Sequence, residues 1–261
     1  MQQNRKAWRK ENTTNTLSEV FASIKVPKTN HFWRNLFAFA GPGLMIAVGY
    51  MDPGNWATDI AGGAQYAYTL LSVIFISNLF AIVLQYISLK LGIVTERDLA
   101  QACRDNYHPA INFMLWIFCE IAIAACDLAE VIGSALALNL LFHIPLTIGV
   151  ALTSLDVLLI LFFQYKGFRL IESIVASLIF LLFACFAYEI VLSKPELFPM
   201  LKGLLPQKEV LTNPSMLYIA IGILGATVMP HNLYLHSSIV QTRDYPRTHE
   251  GKKRKPLNLL L

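Results

Sequence analysis

The first residues able to do chemistry sit in the middle of an apolar stretch, within Gly49-Tyr-Met-Asp-Pro-Gly-Asn-Trp56. Asp52 offers a carboxylate and Asn55 an amide oxygen, both hard donors suited to a cation. Pro53 and Gly54 stand between them and interrupt a helix, since proline lacks the N–H and glycine loosens the backbone. The unwound turn frees carbonyls, that of Gly49 among them. Pro-Gly alone would be read as a plain kink. With an acid and an amide in the same turn, a cation site is the better reading.

A second interruption lies far along the chain, in Gly222-Ile-Leu-Gly-Ala-Thr-Val-Met-Pro-His-Asn232. Pro230 leaves the carbonyl of Ala226 without its helical donor, and Met229 sets a thioether beside the break. A thioether suits Mn²⁺, Fe²⁺ or Co²⁺ better than Mg²⁺ or Ca²⁺. Carboxylate, amide, carbonyl and sulfur together point to a transition-metal ion, whereas a methionine elsewhere in an apolar helix would be filler. His231 and His236 follow at i and i+5, about 140° apart on an ideal helix. That spacing is wrong for a two-histidine clamp. His231, next to the break, is placed to titrate or to gate an aqueous path, while His236 reads equally well as a packed histidine.

Glu120, Asp127 and Glu130 share one face of a third apolar stretch. Acids in such a setting mark proton relays or ion pathways, because a crowded, desolvated carboxylate holds its proton nearer neutral pH. The bland alternative pairs them with basic residues at a helix interface, and the apolar stretches contain none. A proton path is the expected role, with a partner outside these residues as the rival. Asp156, in a fourth stretch, is read equally well as structural.

The elements that must hold these groups follow from composition. Of the 261 residues, 55% are hydrophobic and 15% charged, against about 25% charged in a soluble domain. Solvated disorder is excluded by the same numbers. Six predicted helices, at roughly 35–62, 68–91, 110–142, 145–165, 169–193 and 214–241, are apolar nearly all round and long enough to cross a bilayer. The expected class is an all-α polytopic membrane protein whose first and sixth helices are broken, a pairing that points to a transporter site near the membrane midplane.

Charge orients these spans. Only Lys194, Lys202 and Lys208 of the 21 Lys and Arg fall on one side, so both termini are expected in the cytoplasm. Basic residues flank the apolar runs instead of clustering on a solvated face, which argues against nucleic acid. No secretory h-region occurs in the polar arm 1–34. The four cysteines form no CxxC pair, giving neither a disulfide framework nor a zinc site. P-loop, HExxH and GxSxG motifs are missing too, so an enzyme is not expected.

Three stretches together, Gly41-Pro-Gly-Leu through Asp52-Pro-Gly-Asn55, the Asp127 and Glu130 pair, and Met229-Pro-His-Asn-Leu-Tyr-Leu-His236, resemble the Nramp family of proton-coupled divalent metal transporters. The resemblance runs from about residue 35 to about 250. It implies a LeuT-like fold of two inverted five-helix repeats, with metal held between the unwound first and sixth helices. This chain then carries the first repeat plus the sixth helix, as a core over 35–241. By matching position Asp52, Asn55 and Met229 are metal ligands, joined by the carbonyls of Gly49 and Ala226. Asp127, Glu130 and Glu120 match the proton path, and His231 the gating region. The implied function is import of Mn²⁺, with Fe²⁺ also accepted, coupled to H⁺ across the cell inner membrane. The metal is cargo, and no resident cofactor is expected.

One departure is large. Family members continue into a seventh helix and beyond, whereas 242–261 is a basic tail foreign to the pattern. The expectation is a truncated or frameshifted product. The alternative function is then a non-transporting membrane fragment or a partial subunit. An amino-acid symporter on the same broken-helix plan is a further rival, and it gives no reason for Met229. Metal preference, coupling stoichiometry and oligomeric state are left open by the sequence.

Overall fold

The computed structural model describes residues 17, 21–25, 41–164 and 168–244. The arm 1–34 lies largely outside these residues, as do the start of the first span, the turn at Lys166 and Gly167 and the tail beyond 244. Helical backbone over 41–48 (α1) closes in a 3-10 turn at Gly49–Met51. Then come α2 (Pro53–Tyr66), α3 (Leu71–Thr95), α4 (Leu99–Asn106), α5 (Pro109–Phe142), α6 (Leu146–Gln164) and α7 (Phe168–Ser193). Two short helices, α8 (Leu197–Gly203) and α9 (Glu209–Thr212), lead to α10 (Pro214–Val228) and α11 (Pro230–Ile239). The only strands among the described residues are β1 (Ile24–Lys25) and β2 (Arg243–Asp244).

The ends of these helices are chemically specified. Pro53, Pro109 and Pro214 open α2, α5 and α10, where the missing N–H is no loss. Asn213 caps α10 by accepting from the N–H groups of Ser215 and Met216 at 3.0 and 3.3 Å. His143 ends α5 in the left-handed region, at φ 55°. Six spans are expected, and the described residues supply fewer helices of full crossing length. Four helices are long and apolar enough to cross a membrane, and two shorter apolar helices, Gly41–Met51 and Leu146–Leu155, stand in the remaining places.

Two differences from expectation have local causes. The second helix runs through Gly92 to Thr95 and ends where Glu96 turns at φ 58°. The polar helix α4 is too short for its periodicity to stand out, yet Asp98 caps it, accepting from the Gln101 N–H at 2.7 Å. The break expected in the sixth helix falls at Met229, which separates α10 from α11.

The chain forms two compact units. One takes in residues up to Ile46, Leu84–Ala122 and the residues from Pro230 onward. In it Leu89, Ile93 and Val240 form a small core. Gly92 lies so close to α11 that a Cβ there would sit 2.6 Å from the Ser237 carbonyl oxygen. α4 docks on α11 through the Leu99 N–H, which donates to the Ser237 hydroxyl at 2.9 Å. β1 and β2 pair in parallel, Ile24 opposite Arg243 and Lys25 opposite Asp244.

Cys103, on α4 outside the spans, is a readout of this docking. Burial and then the Asp98 carboxylate push its thiol up, while a hydrogen bond with Tyr234 works the other way. A raised pKa means less thiolate at a given pH, so alkylation will be slow at neutral pH and rise only on the alkaline side. Asp98→Asn keeps a capping oxygen but removes the charge. Peptide mass spectrometry should show Cys103 reacting with iodoacetamide about threefold faster in that variant.

The other unit comprises Ala47–Val83 and Ile123–Met229. Its core is Leu70, Val210, Met216, Ala220 and Ile223, with Tyr66, Val73, Ile74 and Ile219 packed against it. Gly149 brings α6 against α5, where an added Cβ would meet Ala135 at 3.0 Å. Trp56 of α2 and Phe186 of α7 place their rings 5.4 Å apart. Large apolar side chains such as Phe180, Phe183 and Leu141 stay exposed, as in helices solvated by hydrocarbon.

Candidate functional site

The second compact unit contains Gly49, Asp52, Asn55, Ala226 and Met229 together. α2 and α10 pack antiparallel. Tyr66, the last residue of α2, lies on the cluster that includes Met216 near the start of α10. One turn back, a Cβ on Gly62 would touch Ile219 and Ile223 at 3.5 and 3.6 Å, and one on Gly222 would lie 3.2 Å from the Thr58 methyl. From the Thr58–Gly222 contact, the stretch back to Asp52 and the stretch on to Met229 each cover on the order of 10 Å at 1.5 Å per residue. The two breaks therefore fall at the same level of one helix pair.

At the first break Asp52 adopts extended backbone (φ −75°, ψ 158°) and caps α2. Its Oδ1 accepts from the Asn55 N–H at 3.0 Å. The carboxylate stands at the positive end of the α2 dipole. Asn55 is buried, and its Nδ2 donates to the Tyr50 carbonyl at 3.2 Å. That bond fixes the amide plane and assigns Oδ1 the acceptor role away from Tyr50. The Thr58 hydroxyl, 3.0 Å from the carbonyls of both Gly54 and Asn55, stabilises the first turn.

At the second break Met229 is 4% exposed and takes φ 33°. A non-glycine residue in the left-handed region costs on the order of 1–3 kcal/mol and persists where the surroundings impose it. The Met229 N–H still donates to Gly225 O at 3.4 Å. Pro230 has no N–H to offer Ala226, so the end of α10 presents carbonyl oxygen and the negative end of its dipole. The 3-10 turn at Gly49–Met51 ends the preceding helix in the same sense. Among the described residues no three of His, Cys, Asp and Glu gather as a metal cluster. The available donor set is one carboxylate, an amide oxygen, carbonyls and a thioether.

The acids of α5 fall in both units. Glu120 accepts from Trp116 Nε1 at 2.9 Å. Asp127 and Glu130 lie in the unit that holds the breaks, on exposed positions. The Cys126 thiol donates weakly to Glu130 at 3.8 Å and lies within electrostatic reach of Asp52, Asp127 and Glu130 alike. His231 sits half-buried in the first turn of α11. His236 is buried with Nδ1 2.7 Å from Gln85 Oε1, the packed arrangement its sequence position allowed.

Two features escaped the sequence reading. Asp59 lies within electrostatic reach of Asp52; the i+7 spacing puts both on one face of α2 and could have revealed it. Gly133 touches Pro53 across helices, a contact no local pattern encodes.

The chain is similar to proteins of one known family. The family model described as "Nramp: Natural resistance-associated macrophage protein-like" matches residues 43–259. A curated relative from Listeria monocytogenes, named divalent metal cation transporter MntH, is 61% identical over 249 residues, covering 95% of this chain and 56% of the relative. A relative of the same name from Nostoc is 62% identical over 237 residues, covering 91% and 54%. The solved structure of the Eremococcus coleocola manganese transporter, in complex with an aromatic bis-isothiourea substituted compound, superposes with a TM-score of 0.84 at 46% identity. That match covers 95% of this chain and 51% of the transporter. The chain spans about half the length of the relatives it matches. With its broken α1–α2 and α10–α11 helices and a family match over most of its length, the chain belongs to the Nramp family and carries its LeuT-like helical fold.

Proposed function

We propose that this chain supplies the metal-binding part of a proton-coupled importer of Mn²⁺, with Fe²⁺ as a competing cargo. The observation that carries the reading is the level placement of two helix breaks in one antiparallel pair. Asp52 and Asn55 lie at one break, Met229 at the other. Asp52, Asn55 and Met229 are the ligands, with the Gly49 and Ala226 carbonyls completing the shell, and the ion is substrate. Asp127, Glu130 and Glu120 carry the proton path, and His231 serves at the gate. The setting is the cell inner membrane with both ends cytoplasmic, a polar arm over 1–34, the transport core over 35–241 and a basic tail after it.

A second reading is favoured by length. Relatives about twice as long include a further half that alternating access uses as the opposing scaffold. On that reading the 261-residue chain binds metal without moving it. Reconstitution in liposomes with an inward proton gradient separates the two, with a full-length relative as reference. Mn²⁺ uptake by this chain supports the importer, and Mn²⁺ binding without uptake supports the partial unit. Absence of both refutes the metal site.

A further inference from the structure

We propose that Gly133 is a positioning residue for the metal site: its missing side chain lets α5 seat directly on Pro53 and so fixes the Asp52 carboxylate. The inference rests on the metal-site reading above. A Cβ at Gly133 would overlap both Cβ and Cγ of Pro53. No rotamer change relieves that overlap, because the pyrrolidine ring is tied to its own backbone. Pro53 is peptide-bonded to Asp52 and opens α2, so displacement of the ring passes straight into the capping turn.

The carboxylate is tied to its own turn. Its Oδ1 is engaged by the Asn55 N–H at 3.0 Å, and Oδ2 occupies the space that Gly54 leaves free, where a Cβ would lie 3.0 Å from it. The turn itself is set by α5. The same helix carries Glu130 one turn before Gly133 and Asp127 before that. Cys126, which feels Asp52 together with both acids, shows that the acid-bearing face and the broken turn share a neighbourhood. One glycine then sets the spacing between the metal carboxylate and the expected proton path. Glycine is a poor helix former, and at the middle of α5 this contact gives it a reason to be there.

The test is Mn²⁺ affinity of the purified 261-residue chain in detergent, read by electron paramagnetic resonance of free Mn²⁺, alongside thermal unfolding. Gly133→Ala is expected to weaken Mn²⁺ binding at least about 10-fold, since displacement of a ligating group by about an ångström has effects of that order. Pro53→Gly removes the colliding ring atoms, so the double variant Gly133→Ala/Pro53→Gly should bind within about threefold of Pro53→Gly alone. Gly203→Ala is the steric control. Its Cβ would collide with the Tyr68 carbonyl on another surface, so it should lower the unfolding temperature and leave Mn²⁺ affinity in place.

Wild-type affinity in folded Gly133→Ala, with Asp52→Asn still losing Mn²⁺, overturns the positioning role and leaves the metal site standing. Wild type that binds no Mn²⁺, or Asp52→Asn that binds like wild type, overturns both. Should Gly133→Ala fail to fold, the double variant decides. Recovery of folding and affinity supports the contact, and a double variant that remains unfolded overturns it.

Discussion

Asp52→Asn will weaken Mn²⁺ binding by about 100-fold, roughly 2.7 kcal/mol, with little change in unfolding temperature. The separation is possible because the proposed site asks two things of Asp52 through different properties. As the cap of α2 it needs only an oxygen at Oδ1 to accept the Asn55 N–H, and asparagine supplies one equally well. As a metal ligand it needs its charge, the sole formal negative charge in a donor set otherwise made of amide, carbonyl and thioether. Metal affinity at oxygen-rich sites follows the number of charged ligands. Asp52→Ala is the informative partner, since it removes the cap as well and should lower stability by about 1 kcal/mol. Isothermal titration with Mn²⁺ on both variants, with melting curves, checks the two effects independently. Equal Mn²⁺ affinity in wild type and Asp52→Asn would falsify the ligand assignment.

Met229→Ala will lower the preference for Mn²⁺ over Ca²⁺ about 10-fold, through loss of Mn²⁺ affinity. The Met229 thioether is the one soft donor in the proposed ligand set. Its removal should cost Mn²⁺ about 10-fold in affinity while leaving Ca²⁺ nearly unchanged, so that Ca²⁺ becomes an effective competitor. Alanine is the right replacement because it keeps the same backbone restriction. Met229 has φ 33°, and glycine would both remove the sulfur and relax that conformation, confounding the comparison. Competition of Ca²⁺ against Mn²⁺ in the two proteins is the measurement. An unaltered Mn²⁺ to Ca²⁺ ratio would mean that Met229 is filler for the core.

Both sites of interruption were legible in the sequence because proline and glycine act locally. Pro53 and Pro230 remove donors whatever surrounds them, so the breaks, and the donors beside them, could be read from neighbouring residues. The acids of α5 were legible for a similar reason, since a carboxylate stands out in an apolar run. What could not be read was any relation between helices. Nothing local says that Gly62 and Gly222 bring α2 and α10 together, or that Gly133 receives Pro53. Those contacts are made by absent side chains, which carry no hydrophobic signal and look like ordinary small residues. Helix α4 was missed for another reason. It is polar and brief, and its cap at Asp98 becomes persuasive only once its docking on Ser237 is seen.

The two-residue ladder between β1 and β2 carries a topological constraint. Ile24 and Lys25 precede the first apolar helix, and Arg243 and Asp244 follow the last. Strands that share hydrogen bonds must lie in the same compartment, so the chain between them crosses the bilayer an even number of times. The four long spans satisfy that parity together with the two shorter apolar helices, and not with one of them alone. A crossing made by only one of Gly41–Met51 and Leu146–Leu155 would pull the ladder apart.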